Sequence, residues 1–205
     1  AVSLPFSFYS TFVIEEKFGF NKTTPLLFCT DLLKSILLSA LLGGGLLALI
    51  LSIFQYGGSD AWVFCWGASA VFLLLVQYIV PTWIMPLFNK FTPLEDGSLK
   101  QAILSYADSI DFSLQNIFVM DGSKRSSRSN AFFTGFGKNK RIVLFDTLIS
   151  EQTEEELVAV LAHEMGHYKK RHIISRIVLG IIQMGIIFFL LSLFLSHGPL
   201  FDAFF

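Results

Sequence analysis

Three stretches of this chain carry no charge and have about the length needed to cross a bilayer: Ile36–Phe54, Ala61–Val80 and Ile177–Leu195. A hydrocarbon core of about 30 Å requires roughly 20 helical residues at a rise of about 1.5 Å each. Buried helices of a soluble fold would need polar faces, and Leu46–Ile53 and Ile186–Leu195 offer almost none. Charged residues make up 15% of the chain, against roughly 25% in ordinary soluble domains, which excludes a disordered chain, a coiled coil and a generic soluble enzyme. A net charge of −1 leaves no basic field, so no nucleic-acid partner is expected. The sequence predicts a mainly α, multi-pass membrane protein with membrane lipid around it.

The few charges are very unevenly placed. Residues 1–31 carry five, 32–86 two (Lys34 and Asp60), 87–172 carry 22 and 173–205 two (Arg176 and Asp202). This pattern divides the chain into an N-terminal cytoplasmic-side segment (1–31), two transmembrane helices (32–86), a cytoplasmic α+β core (87–172), a third transmembrane helix (173–196) and a non-cytoplasmic tail (197–205). Lys17, Lys22 and Lys34 precede or open the first span, eleven more basic residues run from Lys90 to Arg171, and Arg176 opens the third span. The connection 55–60 and the tail 196–205 have none, so the positive-inside rule puts residues 90–172 in the cytoplasm, at a bacterial inner membrane or the endoplasmic reticulum. The chain opens at Ala1 without Met, shows no signal-peptide pattern and stops in an apolar stub at Phe205, as expected of a piece of a longer protein. Cys29 and Cys65 lie too far apart for a metal knuckle or a redox pair and read as ordinary thiols.

Between the second and third spans the pattern is that of a compact α+β insert. Pro81 and Pro86 are expected to end the second helix, because proline lacks a donor and clashes with the preceding turn. Ser98–Asp108 predicts a short helix, and Ile117–Asp121 a strand ending at the turn Asp121-Gly-Ser-Lys124. Asn130–Thr134 and Arg141–Phe145 predict a hairpin around Gly135–Lys140, hence a small antiparallel β-sheet. Thr153 and Glu156 form a capping box that starts the next helix.

That helix carries His163-Glu164-Met165-Gly166-His167. Imidazoles four residues apart share a helix face, about 5–6 Å apart at Cβ, and can clamp one Zn2+ ion. Glu164, one step round the helix, reaches a water held by the ion and serves as general base for attack on a carbonyl. His172 lies nine residues after His163, one short of the spacing for a third ligand, and reads as an interface or supporting residue. His197 follows the third span, on the side away from the motif; Lys124, Arg125 and Arg128 could hold a peptide C-terminal carboxylate, but such a cluster is more often a solvated turn and is read as one. Two function classes remain open, a membrane metalloendopeptidase and a non-catalytic membrane protein with a structural zinc site. An intact Glu164 favours the first, since a structural site needs no general base.

Five stretches, Phe8–Thr23, Pro86–Leu94, Ser126–Phe133, Arg141–Leu148 and His163–His167, together resemble the integral-membrane zinc endopeptidases typified by the type I CAAX prenyl proteases. The heat-shock membrane proteases of bacteria are more distant relatives. The resemblance implies a helical membrane barrel around a water-filled chamber, closed on its cytoplasmic side by a small sheet and a gluzincin-like HExxH zinc helix. It also implies cleavage near the C-terminus of prenylated proteins, with quality control of membrane proteins as the alternative. Peptide substrate would pair with an edge strand at Asn130, Ala131 and Phe132, the Asn130 carboxamide bonding a peptide carbonyl. The third zinc ligand, a Glu in an E-x-x-x-D type motif, has no match among these residues and is expected beyond Phe205, so the 205 residues alone are expected to be inactive.

Overall fold

Three helices are long and apolar enough to cross a membrane, Pro25–Tyr56, Gly58–Phe88 and Ile173–Leu195, and they contain the three uncharged stretches. A computed structural model describes residues 3–112, 114, 116–134, 141–170 and 172–196, the side chains of Thr134, His167, Tyr168, His172 and Ser196 excepted. The expected turn at Gly135–Lys140, His197 and the tail 197–205 lie outside the described residues. Helix α1 (Ser3–Tyr9) runs into a π-helical turn, Ser10–Glu15. The first long helix joins α2 (Pro25–Leu38) through a second π turn to α3 (Gly44–Tyr56). The next consists of α4 (Ala61–Ile79), a π turn over Val80–Ile84 and α5 (Met85–Phe88).

Pro81 does not end this helix, contrary to the sequence expectation. It falls inside the π turn, where the wider hydrogen-bond register accommodates a residue without a donor. Pro86 follows directly after that turn as the second residue of α5, and the chain leaves the helix at Asn89 in extended conformation.

The chain packs as two compact units, Ala1–Asp31 with Pro81–Lys170, and Leu32–Val80 with Arg171–Phe205. In the second unit α4 packs against both α3 and α9 (His172–Ser196). Trp66 donates its indole N–H to the Ile181 carbonyl at 2.8 Å. A Cβ at Gly185 would stand 3.1 Å from that indole, so the small residue admits the ring between the helices. Trp62 meets Phe189 edge-on in the same seam.

The first unit is built on a four-stranded sheet, β1 (Phe91–Pro93), β2 (Asn116–Met120), β3 (Ala131–Thr134) and β4 (Arg141–Phe145), in the order β1-β2-β4-β3. The expected hairpin is present, with Ala131 opposite Leu144 and Thr134 opposite Arg141. The sheet is mixed, however, and not antiparallel as expected. β1 runs antiparallel to β2, but β2 pairs with β4 in parallel, Met120 opposite Phe145. The reason is topological: β2 skips its sequence neighbour β3 and pairs with the hairpin's second strand, which points the same way.

That order forces the β2–β3 connection to cross the C-terminal end of β4. Gly122 lies under the Phe145 ring at the crossing, where a Cβ would come within 2.6 Å of Cδ2. Asp146 accepts from the Ser123 N–H at 2.8 Å, and Thr147 Oγ1 donates to the Arg128 carbonyl at 3.1 Å. Helix α6 (Ser98–Ser109) follows the predicted span, and α7 (Asp146–Glu151) and α8 (Glu154–Lys169) follow the sheet. Ile103 and Ala107 of α6, Ile117 of β2, Ala131 of β3, Ile142 and Leu144 of β4, and Leu157, Leu161 and Met165 of α8 form one buried core.

Candidate active site

Helix α8 begins at the capping box read from the sequence. Glu156 N–H donates to Thr153 Oγ1 at 3.4 Å, while Glu156 Oε2 accepts from the Thr153 backbone N–H at 2.9 Å and from its hydroxyl at 3.0 Å. The backbone hydrogen bond, then the hydroxyl, holds the Glu156 carboxyl below its ordinary pKa. Ser98, at the start of α6, donates its hydroxyl to Glu154 and ties the two helix N-termini together.

Leu157, Leu161 and Met165 are spaced by four and are each at most 1% exposed. At 3.6 residues per turn, roughly 100° per residue, position 163 falls on the side of α8 opposite this stripe, and position 167 returns to the same side one turn later. His163 is exposed and Glu164, on the flank between the two sides, is half-buried. The His167 and His172 side chains lie outside the described residues. Two His four residues apart in a helix, with a Glu next to the first, are of the residue types whose donors zinc takes. Among the described residues no three His, Cys, Asp or Glu side chains gather closely enough to hold a metal ion.

Strand β3 is an edge of the sheet and packs beside α8. The Phe145 N–H donates to the Asn130 carbonyl at 3.0 Å, which makes 130 and 145 a hydrogen-bonded pair of the antiparallel ladder. By alternation the backbone groups of Ala131 and Phe133 turn away from β4 toward the outer edge. The Ala131 side chain is buried in the core, and its N–H donates to the Asn130 carboxamide oxygen at 2.9 Å. Half-buried Phe132 meets Phe145 edge-on, with ring centroids 6.3 Å apart.

The basic turn is not simply solvated. Lys124 pairs with Asp121 at 2.8 Å, Arg125 with Asp31 at 2.7 Å, and Arg128 with Glu15 at 3.5 Å while also lying over the Phe20 ring. Local patterning missed the Arg125 contacts because Asp31 is 94 residues away in sequence. No spacing rule reaches that far.

Known proteins resemble this chain along its length. Residues 1–90 match the family model for the CAAX prenyl protease N-terminal region, described as five membrane helices, and residues 93–204 match peptidase family M48. CAAX prenyl protease 1 of Saccharomyces cerevisiae is 49% identical over 208 residues, covering 99% of this chain and 45% of that protein. A CAAX prenyl protease 1 homolog of Homo sapiens is 38% identical over 98% of this chain and 50% of its own length. The crystal structure of S. mikatae Ste24p superposes with a TM-score of 0.88 at 50% identity, over 93% of this chain and 44% of that one. The chain therefore spans about half the length of the relatives it matches. The resemblance to CAAX prenyl proteases seen in the sequence motifs is borne out, as is a mainly helical, multi-pass membrane fold.

The capping box generates a pH dependence with a definite sign. The Glu156 pKa is lowered on folding, so its contribution is complete at neutral pH and is lost as pH falls through the carboxylate range. Thr153→Ala is expected to speed amide exchange in the first turn of α8 roughly fivefold at neutral pH. It should also flatten the loss of protection, taken relative to the intrinsic exchange rate at each pH, that the unsubstituted protein shows on acidification, measured by hydrogen exchange with mass spectrometry.

Proposed function

The chain belongs to peptidase family M48, and on that footing we propose that it carries the zinc helix and substrate edge of a membrane-embedded metalloendopeptidase. On this reading it cleaves prenylated proteins near the C-terminus, as the family resemblance implies; the relatives themselves are named CAAX prenyl proteases. The observation that carries this reading is the orientation of α8. The buried stripe Leu157, Leu161 and Met165 turns position 163 outward and leaves Glu164 half-buried beside it.

In this reading His163 and His167 hold zinc, and a third protein ligand, a Glu in the resembling family, comes from outside residues 1–205. Zinc, when bound, supplies a Lewis acid that polarises the scissile carbonyl and makes water acidic enough to attack near neutral pH. Glu164 accepts one proton from the attacking water as its oxygen bonds to the carbonyl carbon. When the C–N bond breaks, the Glu164 carboxyl returns that proton to the leaving amine, and the water's remaining O–H stays with the new acid. Substrate lies along β3, paired with backbone groups at Ala131, and Phe132 helps fix the strand through its contact with Phe145. Asn130 swings its carboxamide from the Ala131 N–H and donates its NH2 to a peptide carbonyl. The membrane helices form a barrel around the chamber, and the zinc helix faces the cytoplasm because the Lys and Arg residues gather on that side.

Glu164→Gln in the natural gene product is expected to keep its zinc and lose roughly 10³-fold in cleavage of a farnesylated peptide, because an amide preserves shape without accepting a proton. Near-normal turnover by that variant would overturn the mechanism. Orientation has its own test. Single cysteines at Ser59 and Glu95, in a background lacking Cys29 and Cys65, should react with an impermeant thiol reagent from opposite sides of sealed vesicles. Labelling from one side would show that the intervening helix does not cross.

A further inference from the structure

The crossing segment between β2 and β3 ends directly at the proposed substrate edge, and one side chain ties it to two distant parts of the chain. The Arg125 guanidinium donates from Nε to Asp31 Oδ2 at 2.7 Å, with Nη2 also 2.7 Å from that oxygen in the ion pair, from Nη1 to Asn89 Oδ1 at 2.5 Å and from Nη2 to the Phe88 carbonyl at 2.7 Å. The Arg125 carbonyl in turn accepts from the Lys22 N–H and from Thr23 Oγ1, both at 3.0 Å. A bridge between Asn21 and Ser126 and a hydrogen bond from the Ser127 N–H to the Phe20 carbonyl continue this seam toward Asn130.

The pairing is enclosed: the Arg125 and Asp31 side chains are 25% and 19% exposed. Asp31 Oδ1 is buried and accepts nothing among the described residues, so Arg125 supplies the compensation for that carboxylate. Three acceptors on two separate segments are satisfied by one planar fork of donors, an arrangement that the point charge of lysine does not reproduce.

We propose that Arg125 is a positioning residue for substrate. By fixing the crossing segment to Asp31, Asn89 and Phe88, it sets where Asn130 and Ala131 present the β3 edge to a peptide. The inference rests on the reading that β3 pairs with substrate. Arg125 is on a different segment from α8, so its loss should displace the edge and leave the zinc helix in place. Binding of peptide should weaken while the chemical step on bound peptide persists.

The test uses the natural gene product with a farnesylated peptide, comparing the unsubstituted protein with Arg125→Lys, Asn89→Ala and Arg125→Ala. Arg125→Lys is expected to raise KM about tenfold, or ~1.4 kcal/mol of uniform binding, with kcat within about twofold and zinc content unchanged. Asn89→Ala, which removes one acceptor and keeps the ion pair, should raise KM by a smaller factor in the same direction. An unchanged KM in folded, zinc-loaded Arg125→Lys would overturn the proposal, as would a fall in kcat at constant KM or a loss of zinc. If Arg125→Ala does not accumulate, the other two variants decide the matter. Failure of the unsubstituted protein to cleave peptide would overturn the hydrolase reading itself, whereas normal cleavage with neutral variants overturns only the role of Arg125.

Discussion

The seam between α8 and the core, made by Leu157, Leu161 and Met165 against the sheet and α6, governs the geometry of everything proposed for the site. Each of these side chains is at most 1% exposed, and burying one of this size is worth roughly 1.5–3 kcal/mol relative to leaving it in water. Rotating the helix by one position would expose all three, so the rotational setting of α8 is strongly determined. The consequence is chemical: a setting fixed by apolar packing puts His163 outside and Glu164 at the margin, without any of the polar residues contributing to the choice. The capping box fixes the start of the same helix and so its register along the axis.

A second constraint comes from strand order. With β2 and β4 parallel and β3 outside them, the chain must cross the end of β4 between residues 120 and 131. A crossing segment has no ladder of its own and its polar groups need partners. Here the partners come from Asp146 and Thr147 at the end of β4, and from residues 20–31 and 88–89 through Arg125 and its neighbours. A half-buried ion pair of this kind adds little net stability once desolvation is counted, and its value lies in selecting one arrangement over others. That is the property an edge strand needs if it is to receive a peptide in one register.

Much of this was legible in the sequence, and the parts that were not share a cause. The membrane spans follow from uninterrupted hydrophobicity, and the start of α8 from Thr153 and Glu156, because each signal is local and has a direct physical meaning. The β3–β4 hairpin was visible for the same reason. The parallel pairing of β2 with β4 was not, since strand order depends on contacts between segments with no shared pattern. β1 was missed because three residues, Phe91–Pro93, one of them proline, carry no strand signal of their own. Pro81 was misread because the rule that proline ends helices omits the π turn that absorbs it. Arg125 and Arg128 looked solvated because their acidic partners Asp31 and Glu15 come from the far N-terminal segment.

The central claim is that one face of α8 holds a catalytic zinc ion. Anomalous diffraction at the zinc edge, from crystals of the zinc-loaded natural gene product, tests it most directly. The account predicts one strong peak per chain, about 2.0–2.1 Å from a ring nitrogen of His163 and of His167, with a carboxylate oxygen as a further protein ligand. A peak lying away from α8, or a zinc coordinated by cysteine sulfur, would contradict it.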